Sequence, residues 1–435
     1  MLAAMSTASL PPSSQATAVS RDRGDACPGS LRLHTADDGA LARVRVPGGV
    51  LTVPQAEVLA DVADQLGDGE LHLTSRGNVQ LRGLRDDCGA RLAGSLDPAG
   101  LLPSRGHERA RNIVASPLSG LDGRGVRDVR PWLSALDESL CASEAARALS
   151  GRFLFALDDG RGDVAGLGAD VTVRAVKDGG ALLVTGSADE ALRVSGDEAP
   201  RAALLAAEAF LEVLRETGAQ VWRVDELSLS PGELTHVIRS RLTGAGIDCV
   251  PAPNDRATAE GPPLGVIGAA LSVHAPLGLL TSRQWRTVTR VAAGVGAGEL
   301  RLTPWRGIVV PAPGTSTATA ADALARLAGT GLVTDASSPW LRVGACIGRP
   351  GCGRSRSDVR ADAADALAGA GRSPLPLYWS GCERRCGRPR GDRIDVVAAP
   401  EGGYRIGMVA QGRPARTAAL DDPSLLAATL AAVTS

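Results

Sequence analysis

The sequence is almost without lysine and is poor in aromatic residues. Lys177 is the only lysine among 47 basic residues, and the 435 residues include 6 Trp, 2 Tyr and 3 Phe, with a net charge of -1. A basic surface and stacking aromatic side chains are typical of nucleic-acid-binding proteins, so that class is excluded. No apolar run approaches the roughly 20 residues of a membrane helix, and Glu208 and Glu212 interrupt the best candidate, residues 202–214. We therefore expect a soluble, cytoplasmic protein that binds neither nucleic acid nor a membrane.

The N-terminal segment differs from the rest of the chain. Residues 1–29 are rich in Ala, Ser and Pro and lack a compact apolar core. This composition indicates a disordered leader and not a secretory signal. The remaining chain is long enough for several domains with sizeable cores, since 44% of all residues are hydrophobic.

The chain contains an internal repeat at an offset of 229 or 230. The segment from Gly49 to Leu81 and the segment from Gly278 to Val310 share a series of matching residues. Such a series is hard to produce by chance, so we predict two related halves. The matches are Leu51-Thr52 with Leu280-Thr281, Gln55 with Gln284, Gly67 with Gly296, Gly69-Glu70-Leu71 with Gly298-Glu299-Leu300, Leu73-Thr74 with Leu302-Thr303, and Arg76-Gly77 with Arg306-Gly307.

Both copies have the local signals of a strand, helix, strand unit. The matching Thr and Gln residues form an S/T-x-x-Q capping box at a helix start, and Gly67 and Gly296 stand where each helix would end. Residues 41–46 and 71–74 alternate between apolar and polar side chains, which predicts half-buried strands. We therefore predict an α+β fold.

The repeat continues downstream at an offset of 230. Ala115-Ser116 matches Ala345-Cys346, and Ser150-Gly151-Arg152 matches Ser380-Gly381-Cys382. The second copy thus carries cysteines where the first carries Ser116 and Arg152, so we expect metal-ligand chemistry in the second half alone. The join, residues 250–263, is rich in Pro, Ala and Asn, as is typical of a linker.

Four of the eight cysteines form the pattern C-x5-C-x29-C-x3-C near the C-terminus: Cys346, Cys352, Cys382 and Cys386. Disulfides are rare in the cytoplasm, so clustered cysteines there favour metal binding or catalysis. Neither pair has the C-x2-C or C-x4-C spacing typical of structural zinc. Glycine-rich loops let the backbone approach the sulfides of a cluster and donate N–H bonds to them. We therefore predict a [4Fe-4S] cluster, with zinc or inert cysteines as alternatives.

The other cysteines and the histidines have simpler interpretations. Cys88, Cys141 and Cys249 are isolated and are interpreted as small buried hydrophobic residues. The role of Cys27, just before the first predicted strand, stays open. His72 and His274 lie on predicted strands and are interpreted as half-buried side chains with hydrogen-bond partners.

The cysteine pattern within a duplicated chain resembles the sulfite and nitrite reductases, over nearly the whole chain from about residue 30. Residues 74–80 are similar to that family's T-x-R-x-x-x-Q strand end, and Arg111-Asn112-Ile113 is similar to its R-N-[IV] segment. The resemblance implies two ferredoxin-like half-domains, each followed by an α/β domain of the cluster or tetrapyrrole type. It also implies that Cys386 bridges the cluster to a haem-type iron.

The resemblance implies the following domain boundaries. Residues 1–29 would be the leader, 30–100 the first ferredoxin-like half-domain, 101–249 a reductase-like domain without a cluster, 250–264 the linker, 265–330 the second ferredoxin-like half-domain and 331–435 the cluster domain.

One segment departs from the reductase pattern. The reductases have a Lys-x-Lys pair where this chain has Arg152 and Leu154. In the reductases the paired lysines supply charge and protons for the six-electron reduction of sulfite or nitrite. Leu154 can supply neither, so a different reaction is favoured.

Within the family, the chain resembles the precorrin-3B synthases of aerobic cobalamin biosynthesis most. The resemblance lies in Cys27-Pro28-Gly29, residues 38–45, Pro47-Gly48-Gly49 and residues 302–306. It implies an oxidoreductase, a monooxygenase that hydroxylates precorrin-3A at C20 with dioxygen while a ring A acetate closes a lactone. A sirohaem-dependent sulfite or nitrite reductase and a non-enzymatic iron–sulfur protein stay open as alternatives.

A tetrapyrrole with many carboxylates needs inward-facing arginines, because each guanidinium group binds a carboxylate through two charge-assisted bonds. Arg76, Arg111 and Arg152 are the candidates for substrate binding, and no catalytic residue is identified. No G-x-G-x-x-G motif follows a predicted strand, so electrons should come from a separate NAD(P)H-dependent reductase or ferredoxin. Sirohaem or a further non-haem iron beside the cluster stays open.

Overall fold

The computed structural model describes Asp25 and residues 27–229, 231–255, 260–371, 373, 375–389, 391–410 and 416–434. Most of the predicted leader, residues 1–24 and 26, lies outside the described residues. No helix among the described residues is long and apolar enough to cross a membrane.

The chain begins with a ferredoxin-like unit, in which two helices pack on one face of a sheet. Its strands are β1 (His34–Ala36), β2 (Gly39–Val44), β3 (Val50–Thr52), β4 (Glu70–Leu73) and β5 (Val79–Leu84), and its helices are α1 (Val53–Leu66) and α2 (Gly89–Leu96).

The first α/β domain follows, with a six-stranded sheet whose first two neighbour pairs are parallel and whose other pairs are antiparallel. Its strands are β6 (Ile113–Ala115), β7 (Phe155–Asp158), β8 (Val171–Ala175), β9 (Gly180–Thr185), β10 (Glu190–Ser195) and β11 (Cys249–Pro253), and its helices are α3 (Arg130–Ala142), α4 (Ala199–Thr217) and α5 (Pro231–Gly244).

The second half repeats both units. Its ferredoxin-like unit has β12 (Gly265–Ile267), β13 (Ala270–His274), β14 (Leu279–Thr281), β15 (Glu299–Leu302), β16 (Gly307–Pro311), α6 (Ser282–Gly294) and α7 (Thr317–Ala328). Its α/β domain has β17 (Val343–Ala345), β18 (Leu377–Ser380), β19 (Arg393–Ala398), β20 (Tyr404–Val409), β21 (Thr417–Leu420), α8 (Val359–Asp365), α9 (Leu367–Ala370) and α10 (Leu426–Thr434).

The two ferredoxin-like units exchange a strand. β14 of the second unit pairs antiparallel with β4 of the first, and β3 of the first pairs antiparallel with β15 of the second. The two units also share one hydrophobic core, in which the buried Trp285 indole donates to the Ala56 carbonyl oxygen at 2.7 Å. The repeat is therefore an intertwined pair and not two separate modules.

The predicted helix starts are confirmed. Thr52 and Thr281 cap α1 and α6, and in each case both hydrogen bonds of the capping box with the following glutamine are present. Gly67 follows α1 directly, and Gly296 lies two residues after α6 ends.

The alignment of the turn after β4 needs a correction of one residue. Leu73 pairs with Val79 in the first unit and Leu302 with Ile308 in the second, so the offset is 229 on both sides of the turn. The counterpart of Gly77 is therefore Arg306, and the counterpart of Arg76 is Trp305. The φ angles agree, since they are 67° at Gly77 and 60° at Arg306.

The match between Arg152 and Cys382 is also wrong. Ala115 pairs with Leu157 in the first α/β domain, whereas Ala345 pairs with Trp379 in the second. The paired residues are thus 42 positions apart in the first domain and 34 positions apart in the second, and the offset between the halves falls from 230 to 222. Cys382 therefore corresponds to Gly160.

The linker begins later than expected. Residues 250–253, assigned above to the linker, belong to β11, which pairs antiparallel with β10. The sheet of the first α/β domain thus continues to Pro253.

We expect Gly49 to be intolerant of any side chain. Its φ is 73°, and an added Cβ would clash with the carbonyl oxygen of Leu302. Leu302 is the last residue of β15, the strand of the second unit that pairs with β3 of the first. Gly49→Ala should lower the free energy of unfolding by about 2 kcal/mol or more, measured by urea denaturation. Gly94→Ala is the matched control, because that exposed helical position is open, and it should stabilise by about 0.5–1 kcal/mol. Equal effects of the two changes would contradict the intertwined arrangement.

Candidate functional site

The two cysteine pairs lie at one edge of the second α/β sheet. Cys346 directly follows β17, and Cys382 comes two residues after β18. These strands are parallel neighbours, so their carboxyl ends meet at the same edge. Cys352 and Cys386 lie on the loops that continue from these ends. The fold thus brings both pairs to one place.

Hydrogen bonds tie the two cysteine loops together. The Arg356 amide donates to the Gly381 carbonyl oxygen at 3.0 Å, and the Gly381 amide donates to the Cys346 sulfur at 3.3 Å. A side chain at Gly381 would clash with Ser355 of the other loop. Glycine is therefore needed where the loops meet.

The thiols lie close enough to influence one another. Burial raises the pKa of Cys346, the amides of Gly381 and Gly348 oppose this shift, and the nearby Cys386 and Cys382 thiols add to it. Cys386 is exposed, whereas the other three cysteines are half-buried. The site thus has an inner side at Cys346 and an open side at Cys386.

The described sulfur atoms of these cysteines are not grouped closely around one point, as the ligands of a single ion are. Among the described residues, no three of these sulfurs lie close enough together to ligate one ion. In a [4Fe-4S] cluster each thiolate binds a different iron, so the sulfurs stay farther apart than around zinc. The hydrogen bond from the Gly381 amide to the Cys346 sulfur is of the kind that stabilises such clusters.

A second group forms around the carbonyl oxygen of Gly151. Arg76 donates to this oxygen through Nη1 at 3.3 Å, and Arg45 donates to it through Nη2 at 3.1 Å. Arg45 is only 3% exposed, and its Nη2 also lies 3.3 Å from the Cys27 sulfur. Burial, together with the charges of Arg223 and Arg45, lowers the pKa of Arg76 to about 10, although the charges of Cys27 and Asp170 oppose this shift.

Arg43, on β2, also belongs to this group. Its Nη1 lies 3.6 Å from the Cys27 sulfur, and its Nη2 donates to Gln80 at 3.2 Å. Among the described residues, no carboxylate forms an ion pair with Arg43, Arg45 or Arg76. Arg43 and Arg45 were not among the predicted site residues, although the alternation of an extended chain places two arginines separated by one residue on the same face.

The other two predicted arginines do not join this group. The Arg111 side chain is buried, but its Nε and Nη2 both donate to the Asp137 carboxylate at 2.7 Å. Arg152 is exposed, and its guanidinium lies over the Trp222 ring at 4.4 Å. Leu154 is buried, and its amide donates to Asp170 at 2.8 Å. The structure thus brings together only Arg76 of the three.

The remaining cysteines differ in their surroundings. Cys88 is buried in the shared core, and burial raises its pKa and that of Cys141. Cys249 is half-buried on β11. Cys27, in contrast, lies beside two guanidinium groups and lines an open pocket with Pro28 and residues 32–35.

Comparison with known proteins relates the chain to one family. Residues 34–88 and 268–328 match the nitrite/sulfite reductase ferredoxin-like half domain. A precorrin-3B synthase of Sinorhizobium sp is 27% identical over 419 residues, which are 94% of this chain and 88% of that protein. A ferredoxin–nitrite reductase of Synechococcus elongatus is 26% identical over 402 residues, which are 82% of this chain and 76% of that protein.

A solved structure supports the same fold. The Mycobacterium tuberculosis NirA protein superposes with a TM-score of 0.71 at 18% identity, covering 89% of this chain and 79% of NirA. The match to two half domains agrees with the duplication seen in the sheets. The chain therefore has the duplicated nitrite/sulfite reductase-like fold, with two ferredoxin-like units that match the half domain of that family.

Proposed function

We propose that this protein is a tetrapyrrole monooxygenase of the precorrin-3B synthase type. It would hydroxylate precorrin-3A at C20 in aerobic cobalamin biosynthesis, while the ring A acetate closes a lactone. One atom of dioxygen enters the product, and the other leaves as water with two electrons from an external donor and two protons. The similarity to a precorrin-3B synthase over 94% of the chain supports the proposal.

The observation that carries the proposal is the unpaired set of arginines. Buried charges normally have partners, because removing an ion from water is costly. Arg45 is buried and Arg43 and Arg76 are half-buried, and none of the three forms an ion pair with a carboxylate of the described residues. The charge of Asp170 acts on Arg76 only at longer range. The carboxylates of a tetrapyrrole would supply the missing charge, each accepting two bonds from a guanidinium fork. Before the tetrapyrrole binds, the Gly151 carbonyl oxygen holds Arg45 and Arg76 in place by accepting a hydrogen bond from each.

The four clustered cysteines would hold a [4Fe-4S] cluster, which supplies single electrons to the reaction. This chain's own contribution is to fix the ligands, through the parallel strand ends and the amide of Gly381. The exposed residue Cys386 would be the ligand that bridges to a haem-type iron if sirohaem is bound. A further non-haem iron is the other candidate for the centre that reacts with dioxygen.

Exposed arginines on the cysteine loops favour an acidic electron donor. Arg354, Arg384 and Arg388 are exposed on the loops that carry Cys352 and Cys386. Positive charge there would steer an acidic ferredoxin or a flavin-containing, NAD(P)H-dependent reductase towards the cluster. The nitrite reductases similar to this chain are named for their use of ferredoxin.

The second candidate function is sirohaem-dependent reduction of nitrite or sulfite. Similarity to several nitrite reductases favours it. The geometry argues against it, because Leu154 is buried in an apolar cluster and Arg152 stacks on Trp222. Neither side chain can deliver the repeated protons that reduction of a small anion requires.

We expect serine at any of the four clustered cysteines to remove the cluster. Cys382→Ser should lose the broad visible absorption and most of the iron and acid-labile sulfide, and its thermal unfolding midpoint should fall because ligation couples to folding. Cys249→Ser is the control, since that half-buried thiol lies away from the cysteine loops. A full complement of iron in Cys382→Ser would refute the ligand assignment.

We expect Arg45→Ala and Arg76→Ala to weaken tetrapyrrole binding. Loss of one partner of a buried charge pair costs roughly 2–5 kcal/mol, which corresponds to tens to thousands of fold in Kd. Anaerobic titration with precorrin-3A measures the effect, and the cluster spectrum should not change. Arg111→Ala should instead lower stability, because it leaves Asp137 unpaired. The exposed Arg91→Gln is the control, and wild-type affinity in Arg45→Ala would remove this group from the substrate site.

The reaction class is tested by oxygen labelling. With precorrin-3A, a reduced donor and labelled dioxygen, the product should be heavier by one labelled oxygen atom. With sulfite or nitrite in place of the tetrapyrrole, turnover should be slow because no lysine pair is present. Equal oxidation without dioxygen would exclude a monooxygenase, and rapid sulfide formation from sulfite would establish the reductase alternative.

A further inference from the structure

Arg306 has a backbone conformation that favours glycine. Its φ is 60°, in the left-handed region, and the same turn in the first unit has Gly77 with a φ of 67°. A side chain with a Cβ costs roughly 1–2 kcal/mol in this conformation. Such strain is typically retained where the side chain has a role.

Two glycines make room for the Arg306 side chain. A Cβ at Gly278 would lie 2.7 Å from Arg306 Cδ, and a Cβ at Gly344 would lie 3.3 Å from Arg306 Nη1. Gly278 precedes β14, whereas Gly344 is the middle residue of β17, two residues before Cys346. The side chain therefore passes between two segments of the chain and ends behind the cysteine-bearing sheet.

At this end the guanidinium group lies near Tyr378, a residue whose side chain is hydrogen-bonded to a cysteine loop. Burial raises the pKa of Tyr378, and the charge of Arg306 opposes that shift. The Tyr378 hydroxyl donates to the Cys386 carbonyl oxygen at 2.5 Å, and Arg360 Nε donates to the Cys346 carbonyl oxygen at 3.3 Å. Among the described residues, no carboxylate forms an ion pair with Arg306. Its positive charge is therefore not neutralised locally.

We propose that Arg306 is a positioning residue that raises the reduction potential of the cluster, through its charge and through Tyr378 and Cys386. The proposal rests on the proposed cluster at the four cysteines. A [4Fe-4S] core with four thiolates carries a net negative charge, which increases by one when the cluster accepts an electron from the external donor. A nearby cation stabilises the reduced form more than the oxidised form, and a half-buried site weakens screening by solvent.

The test compares the midpoint potentials of loaded full-length variants by redox titration followed by EPR. Arg306→Gly removes the charge and suits the left-handed turn, so it should fold at least as well as the wild type. Its equilibrium constant for reduction should fall by roughly tenfold, which is about 59 mV for a one-electron couple. Arg306→Lys keeps the charge and should keep the potential. Arg326→Gln, the control, removes an exposed arginine from α7 and should shift the potential little.

Measuring the iron and sulfide content of the wild type and each variant distinguishes a failure of the Arg306 role from a failure of the cluster assignment. A loaded Arg306→Gly variant with the potential of the wild type would overturn the role of Arg306 and leave the cluster assignment intact. An equal shift in Arg306→Lys would likewise overturn it, because the charge would then not be the cause. A wild-type protein that cannot be loaded with iron and sulfide would overturn the cofactor proposal and this role together.

Discussion

The exchange of strands between the two ferredoxin-like units is the constraint on which the rest of the structure depends. Because β3 completes the second sheet and β14 completes the first, neither unit is whole without the other. A direct contact also joins the first unit to the cysteine-bearing domain. Arg82, on β5, binds the Asp38 carboxylate through two bonds and donates to the Gly351 carbonyl oxygen at 2.7 Å, between Cys346 and Cys352.

Equivalent sheet edges in the two halves have diverged towards different chemistry. Where the second half has its cysteines, the first has Ser116 bound to Asp163 at 2.6 Å and Arg161 bound to Asp159 and Asp122. Burial, together with the charge of Asp158, raises the pKa of Asp163 to about 7. An internal ion network thus occupies the sheet edge that carries the four clustered cysteines in the other half.

Local signals in the sequence were sufficient for much of the fold and for one part of the site. The capping boxes and the alternating strands involve neighbouring residues, so they could be read directly. The four clustered cysteines could be grouped from their spacing alone, and the parallel ends of β17 and β18 bring the two pairs to one edge. The match of Arg152 to Cys382 failed because a connection differs in length by eight residues between the halves. The pairing of Arg111 with Asp137 depends on where α3 packs, which no local pattern specifies.

The strand exchange also has a consequence for biosynthesis. On the ribosome, β4 is made about 200 residues before β14, its partner in the finished sheet. Throughout that interval one edge of the first sheet presents unpaired backbone amides and carbonyls, which is the kind of edge that recruits other chains into aggregates. The N-terminal half therefore cannot complete its fold as it emerges, and the yield of native protein should depend on chaperones that shield this edge until residues 279–281 arrive.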